Sequence, residues 1–198
     1  NFGIYGATRA GKTTMNHQLR TRGEVPDIRN RTVGKGRATR KFVKLDGDAH
    51  TVKTADIGGQ TVYWNDWIND MRSRKVKYII FMIDDRHLDK HFDIEQQLCW
   101  TFLVDTICAS EWNINGKRKK KREADYPLAV GIWANKYDLW KDKYNHDGPI
   151  EHHPIFQAFR DGVQRLNEKG VPCFKYIVSA KSDSEMVYRG VLTMIKDY

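Results

Sequence analysis

The sequence predicts an α/β fold in which a mainly parallel sheet is covered by helices on both faces. Three observations point to it. Apolar runs of buried-strand length recur at Val76 to Ile83, Leu128 to Trp133 and Phe174 to Val178. Amphipathic stretches separate or follow them: Leu98, Cys99, Phe102, Leu103 and Ile107 share one helix face. Ile155, Phe159, Val163 and Leu166 share a second, and Val187, Val191, Met194 and Ile195 a third. Strands and helices also alternate along the chain, as parallel pairing requires, because each parallel strand needs a crossover. The three helical stripes read as core rather than as ligand sites.

Length and composition set the frame. With 198 residues, 40% of them hydrophobic, residues 1–198 read as a single domain with a sizeable core. No apolar run approaches a membrane span. Cys99, Cys108 and Cys173 are odd in number and widely spaced, which reads as reduced thiols in a cytoplasmic protein rather than a metal cluster. The net charge of +9 favours an anionic partner: nucleotide, nucleic acid or lipid surface. The chain starts at Asn1, directly on its first strand, which leaves open a longer parent protein and a membrane anchor outside these residues.

Phe2, Ile4 and Tyr5 form that strand, and Thr14 to Leu19 continue as a helix. Between them stands Gly6-Ala7-Thr8-Arg9-Ala10-Gly11-Lys12-Thr13, the pattern G-x-x-x-x-G-K-[ST] of a phosphate-binding loop. Such a loop curls its backbone N–H groups around a phosphate, so Gly6 and Gly11 stand where a Cβ would obstruct the turn or the ligand. Lys12 brings a charge to the β- and γ-phosphates and the Thr13 hydroxyl suits Mg²⁺. The helix that begins here, with Thr14 in its first turn, adds its dipole and free N–H groups.

A polar, basic stretch from about Thr21 to Arg37 has no periodicity and reads as a long loop. Phe42 to Leu45 and Thr51 to Thr54 flank Asp46-Gly47-Asp48, a hairpin signal. Asp56-Ile57-Gly58-Gly59-Gln60 then follows a strand ending near Ala55. In phosphoryl transfer an Asp in this place holds Mg²⁺, a Gly N–H meets the γ-phosphate and a Gln orients the attacking water. Asn135-Lys136-Tyr137-Asp138 sits at the end of the strand that contains Trp133. The two oxygens of Asp138 match the adjacent N1–H and exocyclic amine of guanine, a donor pair adenine lacks, and the stem of Lys136 can lie along the ring. Ser179-Ala180-Lys181 ends the last strand, placed to offer backbone N–H to the guanine carbonyl. Gly116-Lys117-Arg118-Lys119-Lys120-Lys121-Arg122 is most simply a solvated loop, and more sharply an anionic lipid- or nucleic-acid-binding patch.

These motifs, in this order over nearly the whole chain, resemble those of the small GTPases of the Ras superfamily. Asp56-Ile57-Gly58-Gly59-Gln60, with paired glycines, is most similar to the ADP-ribosylation-factor (Arf), signal-recognition-receptor-β and Gα branches. The resemblance implies a three-layer P-loop fold with a six-stranded, mostly parallel sheet and about five helices. It also implies GTP or GDP bound with Mg²⁺, hydrolysis of GTP, protein effectors, activating and exchange factors, and switch regions near 25–39 and 56–74. Thr32-Val33-Gly34 resembles the Arf and Gα switch threonine, so Thr32 joins Thr13 and Asp56 as a Mg²⁺ ligand. The spacing to Asp56 is longer than usual in the family, which keeps Thr39 as the alternative. Arg29 stands three residues before Thr32, where Gα proteins carry a catalytic Arg in cis. The plainer alternative is a basic partner-binding face built from Arg29, Arg31, Lys35, Arg37, Arg40 and Lys41. Arg9, inside the phosphate loop, is a lesser candidate.

Two other readings compete: a binding module whose GTP is essentially structural, and, ranked last, a GTPase acting on RNA, for which no appended RNA-binding motif is visible. Of the remaining side chains, His87 and His91 near Asp84 and Asp85 read as a solvated helix start rather than a metal site. His152-His153 before Pro154 also reads as a helix start. Trp64 and Trp67 pack either locally or against an effector.

Overall fold

A computed structural model describes residues 1–21, 39–45, 48–89 and 94–197, with side chains described for all of these except 39–51. In chain order the elements are β1 (Phe2–Gly6), α1 (Lys12–Thr21), β2 (Thr39–Leu45), β3 (Asp48–Thr54), α2 (Trp64–Arg74), β4 (Tyr78–Ile83) and α3 (Glu95–Cys108). There follow β5 (Glu111–Ile114), β6 (Lys117–Lys120), β7 (Ala129–Ala134), α4 (Tyr137–Trp140), α5 (Arg160–Glu168), β8 (Cys173–Ile177) and α6 (Ser184–Lys196). No helix among the described residues is long and apolar enough to cross a membrane.

The architecture is α/β. A four-stranded parallel sheet runs in the order β1-β4-β7-β8, and in register Tyr5 faces Phe81 and Phe81 faces Ile132. Because side chains alternate along a strand, each strand feeds two cores. Tyr5, Phe81, Val130 and Ile132 pack under α2, α3 and α5, while Ile4, Ile80, Met82 and Trp133 pack under α1 and α6. The apolar runs seen in sequence are strands buried on both faces for this reason. The helix stripes hold with two corrections: Ile155 and Phe159 lie in a 3₁₀ turn (Pro154–Phe159) ahead of α5 rather than on it, although both are buried. On α3, Leu98 is 48% exposed, whereas Trp100 and Val104 are buried, because apolar residues occupy most of that helix's circumference.

The six-stranded expectation meets a different arrangement among the described residues, where β2 and β3 pair with each other as a separate antiparallel ladder. The hairpin signal at 46–47 is thereby matched, those two residues lying outside the described set. A side chain stands where a ladder between β3 and β1 would run. The Arg74 guanidinium donates to the Phe2 carbonyl of β1 (2.9 Å) and to the Lys53 carbonyl of β3 (3.0 Å). Asp70, fully buried, pairs with that guanidinium and accepts from the Tyr5 hydroxyl at 2.8 Å.

The basic stretch at 117–122 is not the simple loop expected from sequence. Lys117–Lys120 form β6, antiparallel to β5, and Asn115 and Gly116 make the turn with φ of 50° and 78°. Two consecutive positive φ values are what a tight I′ hairpin requires, and Asn-Gly is the sequence that supplies them. Lys121 departs from its charged neighbours. It is 6% exposed, lies 4.4 Å over the Trp112 ring, and donates to the Ile107 carbonyl (3.0 Å) and to the Thr106 carbonyl at the end of α3. Burial pushes its ammonium down to about 8.

Two expectations follow. Gly190 of α6 faces the sheet, where an added Cβ would stand 2.6 Å from Trp133 and 2.7 Å from Tyr176. Gly190→Ala is expected to lower stability by about 1–3 kcal/mol in urea denaturation, as overpacking does, despite alanine's better helix propensity. For Lys121 the folded state holds its proton less tightly than the unfolded state does. The stability of wild type relative to Lys121→Met is therefore expected to rise between about pH 8 and pH 10.5; a gap that stays flat over that window contradicts the buried ammonium.

Candidate functional site

The carboxyl ends of β1, β4, β7 and β8 lie at one edge of the parallel sheet, and the motif-bearing loops leave from there. After β1 the chain turns sharply. Gly6 has φ 141°, Arg9 65° and Gly11 98°, three left-handed conformations within six residues. A Cβ on Gly6 would meet the Met82 carbonyl at 2.3 Å, and one on Gly11 the Asn135 amide at 2.1 Å, so both glycines are needed for close approach. The Lys12 ammonium, nearly buried, donates to the Ala7 carbonyl at 2.8 Å and so spans the loop from inside. Burial pushes it down to about 8, against the opposing pull of Asp56. Arg9 is exposed at the mouth. A concave turn opening onto the start of α1, with a lysine in it, can take an anion.

The segment after β3 packs on this loop. Thr13 Oγ1 donates to Asp56 Oδ2 at 2.8 Å. Gly59 lies so close that a Cβ would stand 2.5 Å from the backbone of Gly6, Ala7 and Thr8. The Trp67 indole donates to the Gly58 carbonyl (2.9 Å), and the Cys99 thiol contacts the Gly59 carbonyl (3.5 Å). Gln60, next along, is exposed. Both tryptophans make local contacts, Trp67 buried and Trp64 half-buried and stacked on Phe102 at 4.3 Å.

The far end of the site is organised by Asn135. Its buried side-chain amide donates to the Ala10 carbonyl and accepts from the Ala180 N–H, both at 3.0 Å. The Ser179 hydroxyl accepts from the Asp138 N–H at 2.9 Å, and the Asp138 side chain is exposed, as is Lys181. Lys136, with φ 63°, does not project freely. Its ammonium contacts Asp84 Oδ2 at 2.5 Å.

Four residues that sequence reasoning assigned no role in the site complete it. Asp84, at the end of β4, is fully buried and accepts from Arg86 Nε (2.8 Å) as well as from Lys136. Burial pushes its carboxyl up, but the two cations outweigh that and hold it below the usual carboxylate range. Arg86 also donates to the Thr8 carbonyl at 2.7 Å. Glu95 accepts from the Thr8 N–H (3.1 Å) and hydroxyl (2.8 Å), and the Gln96 amide donates to Asp84 at 2.8 Å. The signal that could have found them is Asp84-Asp85-Arg86 directly after the end of a strand. His87 does lie at a helix start, the 3₁₀ turn Asp85–Leu88 capped by Asp84, but it is not solvated: its ring contacts the Asp84 and Ile155 carbonyls, each at 2.8 Å, and burial lowers its pKa. Among the described residues no group of three His, Cys, Asp or Glu converges as a metal site. His153 does start a helix, its Nδ1 accepting from the Ile155 N–H.

Arg29, Thr32, His91 and the basic residues Arg31, Lys35 and Arg37 lie outside the described residues. Thr39, Arg40 and Lys41 lie in β2, with side chains outside them. No protein-family model matches the chain, and no curated protein matches it either.

Removing Asp84 would leave Lys136 and Arg86 facing each other without a counter-charge. Asp84→Ala is expected to cost about 2–3 kcal/mol in urea denaturation at neutral pH. That is less than for a fully enclosed pair, because both cations are 31% exposed. With the folded-state pKa depressed, that contribution is present above the ordinary carboxylate range and lost on acidification. The gap to wild type should accordingly shrink below about pH 4.

Proposed function

We propose that the protein is a GTPase acting as a two-state switch, with a Ras-like phosphate-binding domain and a preference for guanine. The observation that carries this reading is the Asn135 amide, which ties the 6–13 loop, the 135–138 loop and the 179–181 loop together through Ala10 and Ala180. Three sequence motifs with separate tasks in guanine-nucleotide binding thus converge on one buried side chain.

In this reading the turned backbone of Gly6 to Thr14 and the Lys12 ammonium receive the phosphates. The Asp138 carboxylate accepts from the guanine N1–H and exocyclic amine, and the Ser179-Ala180-Lys181 loop borders the base. The donor set fits magnesium: Thr13 Oγ1 and Asp56 Oδ2 are hard oxygens 2.8 Å apart. When bound, the ion would neutralise charge on the phosphate oxygens, with Thr32 as a further ligand in the GTP state. Gln60, exposed beside the mouth, orients the attacking water, and Arg29 is the candidate for stabilising charge on the γ-phosphate. In this reading the Gly59 N–H would meet that phosphate. Its loss on hydrolysis frees the 56–60 segment, and with it α2, to change partner affinity.

Single-turnover hydrolysis of GTP tests the reading. Without an arginine in cis the rate should be on the order of 10⁻⁴ to 10⁻³ per second, and a working Arg29 would raise it toward roughly 10⁻² per second. Gln60→Leu should lower the rate by at least about tenfold with GTP affinity unchanged. A Gln60→Leu rate equal to wild type would remove Gln60 from the chemistry. No hydrolysis in either protein, with GTP tightly held, would favour a structural nucleotide.

A further inference from the structure

A polar cavity lies between the end of α2 and the β5–β6 hairpin. Its volume is about 430 Å³ and it is lined by Arg72, Ile114, Asn115, Lys117, Arg118 and Lys119. Four of the six are cations, no carboxylate is among them, and none of the four forms an ion pair with a described residue. Lys120, which faces Glu111 across the ladder, and Lys121, which is buried over Trp112, are not part of the lining. The hairpin is fixed against the helix by the Asn65 amide, which donates to Asn115 Oδ1 at 3.0 Å. The hairpin that carries three of the four cations therefore meets α2, which carries the fourth, at the cavity.

We propose that this cavity binds a small ligand carrying two or more phosphomonoester groups. Charge matching supports it: each such group carries about −1.5 to −2 at neutral pH, so two balance four cations, while a single carboxylate would leave three uncompensated. Two of the four are guanidiniums, whose planar forks suit phosphate oxygens, and the two lysines add point charges. The volume suits a headgroup-sized ring rather than a protein face. Nucleic acid fits less well. Its phosphodiesters carry one charge each, and the only apolar lining residue is Ile114, with no exposed aromatic ring on which a base could stack. The same chemistry occurs in a soluble inositol phosphate and in a phosphorylated lipid headgroup. The proposal does not depend on the GTPase reading.

The test is calorimetric titration with inositol trisphosphate at physiological salt. It is paired with flotation on phosphatidylcholine vesicles with and without phosphatidylinositol bisphosphate. Arg72→Ser, and separately the triple change Lys117→Ser, Arg118→Ser and Lys119→Ser, should each weaken trisphosphate binding by at least about tenfold. A control that removes three exposed cations elsewhere (Lys141→Ser, Lys143→Ser, Arg160→Ser) should leave it within about twofold. Trisphosphate binding with bisphosphate-dependent flotation assigns the ligand to a membrane, and trisphosphate binding alone assigns it to a soluble phosphate ester. Equal loss in the control and the site variants would reduce the effect to net charge and overturn the proposal. So would no binding of either probe, or site-dependent binding of a single-stranded RNA in place of the phosphate esters.

Discussion

The Asn135 side chain has one donor and one acceptor direction committed to other loops, to Ala10 on one side and Ala180 on the other. Its own carbonyl accepts from the Trp140 indole at 2.7 Å, and its N–H donates to Ile83 of β4 at 2.8 Å. A buried amide with each of these groups satisfied is rigid, because any displacement leaves a polar atom without a partner in a low-dielectric interior. Gly11 approaches this amide so closely that no other residue fits, which makes the glycine and the asparagine parts of one constraint. The phosphate-loop geometry and the rim that carries Asp138 both depend on it.

Charge supplies the second layer of order. Asp84 gathers Lys136 from the 135–138 loop and Arg86, which reaches back to the Thr8 carbonyl, so the two ends of the site share one buried carboxylate. The adjacent pair Glu95-Gln96 at the start of α3 grips Thr8 and Asp84 respectively. On the other flank Arg74, Asp70 and Tyr5 stitch β3 to β1, and burial together with Asp70 raises the Tyr5 pKa well above its ordinary value. Each network takes ionic groups out of water, which is tolerable only because their hydrogen-bonding positions are filled. The Asp56–Gln60 segment lies between these two networks.

Much of the fold was legible because strands buried on both faces leave unbroken apolar runs, and because the strand–loop–helix context of Gly6 to Thr13 is local. The candidate site residues of the phosphate and base loops were legible for the same reason: backbone and side chain act within a few positions of each other. What escaped was non-local. Nothing local to Arg74 points to its partners, and only the fold brings it to Phe2 and Lys53. Nothing in the neighbours of Glu95 and Gln96 announces Thr8 or Asp84. The Asn115-Gly116 turn was legible in principle but was masked by the charge run that follows it. On α3 the surplus of apolar residues blurred the buried face, so Leu98 and Trp100 changed places.

The most direct measurement is equilibrium competition between GDP and ADP for the wild-type protein in the presence of Mg²⁺, read with a fluorescent GDP analogue. The expected result is displacement by GDP at a concentration at least about a hundredfold below that of ADP, the discrimination available to a site that hydrogen-bonds the base edge. Equal displacement by the two nucleotides, or no binding of the analogue at all, would contradict guanine recognition at Asp138 and with it the switch reading.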